Sequence, residues 1–250
     1  QKFVGMRNFQ MLLRNPQTMP ALRNTIIISA WKMALHLLVP VIVSILLNEI
    51  RSNAFRRISQ TLIYLPHFLS WIILAGIMID LLSPNGGLVN RFLGLFGAEP
   101  IFFLGSNKWF RFTLVFTDVW KEFGFGTIVY LAAITNIDPT QYEAATIDGA
   151  NRFQRIMHVT LPNMRMIIVL MMVLSLGNVL NAGFDQVYNM YSEAVYPTGD
   201  ILDTFIYRLS FKNGLWGQSA AVSMFKSVVS TLFISVSYLC AYKFADYRVF

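Results

Sequence analysis

The sequence is short of charge and of cysteine. Asp, Glu, Lys and Arg together make up 13% of its 250 residues, against about a quarter in an ordinary soluble domain. A chain of this length can build one soluble core, but the surface around it would lack charge. Cys240 is the only cysteine, which excludes a disulfide framework within the chain. It stands in an apolar run, where a small packed side chain is expected. The sequence has no Gly-rich phosphate loop, no RNA-binding aromatic signature and no zinc-ligand cluster. It has no recognisable signal peptide. It opens on Gln1 rather than Met, and the start of the natural chain is expected to precede it.

Apolar residues are abundant, at 55%, and the formal net charge is +7. In a soluble protein that excess would favour nucleic acid. Here the basic residues fall in short groups between apolar runs, as in the loops of a membrane protein. Lipid is the expected surroundings, and no nucleic-acid partner is expected. A spanning helix needs about 20 mostly apolar residues. Five segments qualify: about Asn24 to Leu47, Thr61 to Leu82, Phe112 to Ile134, Met164 to Leu180 and Ser219 to Tyr242. The expected fold is an all-α, polytopic helical bundle in one membrane domain, residues 1–250.

Lysine and arginine in the loops set the orientation. Arg51, Arg56 and Arg57 follow the first span. Arg152, Arg155 and Arg165 follow the third, and Lys243 and Arg248 close the chain. The opposite loops hold only Arg91, Lys108, Arg208 and Lys212. The first set is therefore expected in the cytoplasm. Residues 1–23 would then be external, although they hold Lys2, Arg7, Arg14 and Arg23. Phe3, Met6, Phe9, Leu12 and Leu13 have helix-like spacing there, which suits an interfacial helix. Ser83-Pro84-Asn85-Gly86-Gly87 is a turn on the outer side. The external loop 183–217 mixes Asp185, Glu193, Asp200 and Asp203 with Tyr188, Tyr191, Tyr196, Tyr207 and Trp216. Such a mixture suits either a surface that meets a soluble partner or a sugar, or aromatic anchoring of helix ends.

The cytoplasmic loop 137–163 carries the most information. Asp138 is placed to cap a helix and Pro139 fits its first position. Gln141 stands where a capping box wants Glu or Gln. Glu143-Ala144-Ala145 continues the helix, and Gly149 permits a sharp change of direction. A second short helical stretch, Asn151 to His158, should end at Leu161-Pro162. Two short helices joined at a glycine suit docking of another protein.

The order Glu143-Ala144-Ala145, Gly149, Val159-Thr160-Leu161-Pro162 resembles the EAA loop of permeases in binding-protein-dependent ABC importers. The stretches Tyr64-Leu65-Pro66-His67-Phe68-Leu69-Ser70-Trp71, Leu82-Ser83-Pro84, Ile147-Asp148-Gly149-Ala150-Asn151 and Asn181-Ala182-Gly183-Phe184 look like the oligosaccharide-importing branch, akin to the maltose permeases. The resemblance implies a type I importer fold, usually of six spans, with one ahead of Phe3-Val4-Gly5. It implies a non-catalytic subunit in a bacterial inner membrane, with ATP and Mg bound by a partner ATPase dimer. It also implies a second related permease, with a heterodimer favoured over a homodimer, and an extracellular or periplasmic sugar-binding protein. By position, Glu143, Ala144, Ala145, Asp148, Gly149 and Arg152 would make the ATPase contact.

Charges inside a span are costly and are candidates for function. Asp118, Lys121 and Glu122 lie near the middle of the third span at spacings that share a helix face. Trp120 is beside them, and a ring next to carboxylates can hold a pyranose. Gly124 and Gly126 allow close packing or a bend. Ser175, Asn178 and Asn181 recur on one face of the fourth span. These groups either line a substrate pathway or pair helices structurally. Lys32 and His36 in the first span pose the same choice, and Lys226 is expected near the outer mouth, where it could snorkel. The alternatives to a sugar importer are a permease for a non-sugar solute, an ion-coupled secondary transporter, which predicts internal repeats, and an intramembrane enzyme, for which no nucleophile–base spacing is present.

Overall fold

Apolar runs become long helices wherever no turn former interrupts them. The computed structural model describes residues 5–245. In chain order the helices are α1 (Arg7–Arg14), α2 (Thr18–Asn48), α3 (Asn53–Tyr64), α4 (Trp71–Leu81), α5 (Leu88–Gly94), α6 (Phe110–Thr135), α7 (Pro139–Ile147), α8 (Arg152–Arg155), α9 (Leu161–Leu176), α10 (Phe184–Met190), α11 (Tyr196–Gly199), α12 (Leu202–Tyr207) and α13 (Trp216–Ala245). A 3₁₀ turn, Leu65–Phe68, follows α3, and π turns occupy Ile156–Thr160 and Arg208–Lys212. No strand occurs among the described residues.

Three helices are long and apolar enough to cross a membrane: α2, the continuous run Arg152–Leu176 and Trp216–Val236. The pair Asn53–Phe68 and Trp71–Leu81 makes a fourth if its two pieces count as one span. The second expected span is therefore broken, at Leu69 and Ser70. Pro66 cannot donate to the helix ladder, and Ser70 restarts it by accepting a bond from Ile73 N–H at 3.4 Å. The third expected span has the length, as α6, but every stretch of it long enough to cross contains Asp118, Lys121 and Glu122. The fourth ends at Leu176 instead of Leu180, because Gly177 and Asn178 favour a turn. Asn178 and Asn181 therefore lie beyond the helix and do not share a helical face with Ser175. In α2, Pro40 stays inside the helix, as membrane helices tolerate.

Packing gathers the chain into two compact units interleaved along the sequence. One comprises the chain up to Lys32 with Leu69–Asp118 and Gly177–Val236; the other comprises Met33–Phe68 with Val119–Leu176 and the end of α13. The long helices α2 and α6 give their first parts to one unit and their second parts to the other. The first unit packs Ile28, Leu74, Phe110, Leu114, Val187 and Met190 in one cluster. A second cluster holds Leu12, Ala21, Leu202, Phe205, Leu209 and Val222. α1 thus forms where its spacing predicts and is anchored by Leu12, while Met6 and Leu13 stay exposed; Phe3 lies outside the described residues. The other unit packs Tyr130, Ile134 and Met164 against Val41, Ile45, Ile167 and Ile168. The side chain of Cys240, like Arg248, lies outside the described residues.

Besides these apolar clusters, α6 buries polar residues and exposes apolar ones. On α6, Thr113, Thr117, Asp118 and Lys121 are buried, whereas Phe112, Phe116 and Trp120 are exposed. Residues four apart share a helix face, so 112, 116 and 120 form one stripe and 113, 117 and 121 another. Ile42, Leu46, Ile72 and Leu232 are also more than half exposed. That much apolar surface is stable only against lipid or protein.

Candidate functional site: the α7–α8 loop and the polar pairs of α6

Asp138 begins α7 as its cap, accepting the N–H of Thr140 at 2.9 Å. This backbone bond, together with the Thr140 hydroxyl, holds the Asp138 carboxyl below its ordinary pKa. Pro139 occupies the first turn, where its missing N–H costs nothing. The helix ends in a Schellman motif: Ala150 N–H reaches Ala145 C=O at 2.9 Å and Gly149 N–H reaches Thr146 C=O at 3.1 Å. Gly149 has φ +80°, the left-handed conformation that glycine adopts without penalty. A new cap follows at once. Asn151 and Gln154 form a capping box, with bonds of 2.7 and 2.9 Å.

Two expectations for this loop are corrected. Gln141 does not complete a box with Asp138; its Oε1 accepts from Asn163 Nδ2 at 2.8 Å, and that amide also donates to Val159 C=O at 2.7 Å. A partner on the neighbouring helix thus takes the Gln141 side chain away from the cap. Leu161-Pro162 also does not break the second stretch, because the helix runs on from Arg152 to Leu176 through the π turn. A turn wider than α leaves room for a proline ring and already interrupts the regular ladder where the Pro162 N–H is missing.

The loop is bolted to the base of α9. Tyr142 Oη lies 3.0 Å from Thr160 Oγ1, and Arg155 donates to Thr146 Oγ1 at 3.1 Å. Its outward side carries Glu143, Ala144, Asp148, Gly149 and Arg152, all exposed, with Ala145 half-buried. Two large apolar side chains stand there as well, Ile147 at 86% and Phe153 at 69% exposure. A rigid backing, small residues and uncovered apolar side chains suit the docking of another protein.

The charges of α6 are partnered in both units. In the first, Lys32 Nζ lies 3.1 Å from Asp118 Oδ1 and donates to Ala182 C=O at 2.8 Å. It also donates to Gln186 Oε1, while Gln186 Nε2 donates to Leu114 C=O and Thr117 Oγ1, each at 2.8 Å. This network ties the turn after α9 to α2 and α6. Asn181 Oδ1 accepts from Gly183 N–H at 3.3 Å, and Asn178 and Asn181 are otherwise open to their surroundings.

In the other unit, Lys121 Nζ donates to Glu122 Oε1 at 2.7 Å and to His67 C=O at 2.9 Å. Glu122 Oε2 meets His67 Nδ1 at 2.7 Å, and the His67 ring stacks on Phe125 at 4.1 Å. His67 is a site residue that sequence reasoning missed; its signal was a titratable ring beside Pro66 in an apolar segment. Gly124 lets α6 approach α3, since a Cβ there would land on the Ile63 carbonyl. Gly126 faces Pro40 in the same way, with a Cβ 3.0 Å from the proline ring.

In the segment 183–217, Asp200 and Arg208 form a two-pronged pair at 2.6 and 3.0 Å. Burial alone would lower the Arg208 pKa, but the hydrogen bonds and charge of Asp200 outweigh it and raise it. Asp203 pairs with Lys226 at 2.5 Å, so these two carboxylates are engaged internally and Lys226 does not reach outward alone. Asp185 and Glu193 stay exposed. An aromatic chain runs through Phe184, Tyr188, Tyr207, Phe211 and Trp216.

This arrangement has known counterparts. The family described as binding-protein-dependent transport system inner membrane component matches residues 36–249. The chain belongs to that family. It is 37% identical over 249 residues to the polygalacturonan/rhamnogalacturonan transport system permease protein YteP of Bacillus subtilis, covering 100% of this chain and 78% of the relative. A solved bacterial ABC transporter involved in the import of the acidic polysaccharide alginate superposes with TM-score 0.92 at 34% identity, covering 98% of this chain and 85% of that one. The bacterial alginate ABC transporter in complex with an alginate pentasaccharide-bound periplasmic protein gives 0.91 at 34% identity, covering 96% and 83%. The chain is thus a multi-pass inner membrane component of type I importer fold, a transport subunit without catalytic chemistry of its own.

Proposed function

We propose that this family member is the permease subunit of an ATP-driven importer of an oligosaccharide, delivered by a sugar-binding protein outside the membrane. The observation that carries the reading is the α7–Gly149–α8 element, clamped to α9 behind and uncovered in front. An ATPase dimer docks there through Glu143, Ala144, Ala145, Asp148, Gly149 and Arg152, with Ile147 and Phe153 filling apolar pockets of the partner. ATP and Mg are held by that partner, and a second related permease completes the assembly. Carbohydrate as cargo is supported by the transporters that this chain resembles along its whole length.

We assign Trp120 and Glu122 in one unit, and separately Asn178 and Asn181 in the other, to substrate-facing surface, because each keeps surface open to its surroundings. Asp118 and Lys121, buried and partnered, each brace their own unit. The loop 137–163 is cytoplasmic in this reading, and 1–23 and 183–217 face outward.

The test is ATP hydrolysis by the purified complete assembly with its binding protein, screened against neutral and uronic-acid oligosaccharides. One class should stimulate hydrolysis, and no response to any sugar would overturn carbohydrate as cargo. Glu143→Arg should lower ATP-coupled uptake by about tenfold or more, as loss of a central interface contact does. Unchanged uptake would remove the docking assignment.

A further inference from the structure

The turn between α2 and α3 holds a cleft that neither coupling nor cargo uses. It has a volume of about 470 Å³ and is lined by Asn48, Asn53, Arg56, Arg57, Gln60, Leu131, Ala132 and Thr135. Arg56 is set by a 2.9 Å bond from its guanidinium to Asn53 Oδ1. Among the described residues no carboxylate pairs with Arg56 or Arg57, and Glu49, next to Asn48, does not line the cleft. The helix ends add smaller terms. The α3 N-terminus contributes about half a positive charge, and the C-termini of α2 and α6 about half a negative charge each. Two full guanidinium charges outweigh that balance, so the cleft selects an anion. The three side-chain amides and the Thr135 hydroxyl supply further polar atoms.

The neighbourhood says which anion. Phe55, Ile58 and Leu62 occupy one face of α3 and are 59%, 58% and 64% exposed. Their three- and four-residue spacing makes an apolar stripe, while Arg56, Arg57 and Gln60 turn to the cleft. A phosphate flanked by hydrocarbon fits this pairing; a free phosphate would leave the stripe unused. Basic pockets between helices at the cytoplasmic face suit anionic headgroups.

We propose that this cleft binds the phosphate of an anionic phospholipid of the inner leaflet, with its acyl chains along Phe55, Ile58 and Leu62. The proposal rests on the cytoplasmic placement of the α2–α3 turn, and it is independent of the cargo.

Native mass spectrometry of the intact purified complex, titrated with phosphatidylglycerol or phosphatidylcholine, tests it. The wild type should retain phosphatidylglycerol selectively. The double variant R56Q/R57Q should lose about thirty-fold of that preference, from about 1 kcal/mol per basic residue. R56K/R57K should keep most of it. Thr135→Glu, which puts a carboxylate in the cleft and leaves both arginines, should also abolish it. No headgroup preference in the wild type would overturn the proposal, and so would a preference that survives both R56Q/R57Q and T135E. Displacement of the lipid by millimolar inorganic phosphate would assign the cleft to a small anion instead. If R56Q/R57Q dissociates the complex while T135E keeps its lipid, the arginines belong to a subunit contact. Failure of the carbohydrate reading would appear only in the sugar-stimulated hydrolysis and would leave these lipid counts unchanged.

Discussion

Asp118 and Lys32 are 7% and 5% exposed and meet at 3.1 Å. Removing one member of a buried pair strands the other, at about 3–5 kcal/mol. Asp118→Ala should therefore lower the melting temperature of the purified complex, with transport falling as a result. Trp120→Ala should leave the melting temperature in place and lower transport alone. The reverse pattern would move Asp118 onto substrate-facing surface and Trp120 off it. Spacing placed Asp118, Lys121 and Glu122 near one another on a helix, and that much was legible in the sequence. Their partners were not. Lys32 was marked as a charge inside a span, but not as the partner of Asp118, and nothing local marks Gln186; both come from stretches of chain remote from α6. His67 was overlooked because its partners, Lys121 and Glu122, lie more than fifty residues away and nothing local points to them.

At the scale of elements, punctuation was legible wherever the signal was local. Asp138, Pro139 and Gly149 start and stop α7 as their chemistry dictates. Gln141 misled because its competitor, Asn163, belongs to a different helix. The break before α4 was hidden because Leu69 and Ser70 sit inside an apolar run, and hydropathy does not register a broken ladder. Glycines illustrate the same division between local and remote causes. A Cβ at Gly124 meets the Ile63 carbonyl, whereas one at Gly76 meets nothing within 4 Å. Gly124→Ala should destabilise the complex by about 1–3 kcal/mol, since backbone must shift to admit it. Gly76→Ala should be neutral or slightly stabilising, as alanine favours the helix. Thermal unfolding of both variants checks this, and equal effects would refute the close α3–α6 approach.

At the scale of the whole molecule, composition alone revealed the setting, because scarce charge and abundant apolar residues point to lipid as the surroundings. The inward stripe of Thr113, Thr117 and Lys121 along α6 emerged from the structure, since only the charges of that helix stood out in the sequence. The gathering of helices into two interleaved units was not legible either, since no composition shift marks where a continuous helix changes company. One local feature has a molecule-wide effect. If the loop docks the ATPase as proposed, the π turn at Ile156–Thr160 matters because a wide turn absorbs one extra residue and keeps the helix on either side in phase. Inserting one alanine after Arg165, in regular α-helix, adds a residue that no wide turn absorbs and would swing the loop by about 100° about α9. The variant should still insert and assemble its spans, yet hydrolyse ATP without moving cargo. Uptake equal to wild type in reconstituted vesicles would show that the phase between loop and span carries no information. In that reading the wide turn acts as timing: it sets the angle at which a push on the loop would arrive along α9.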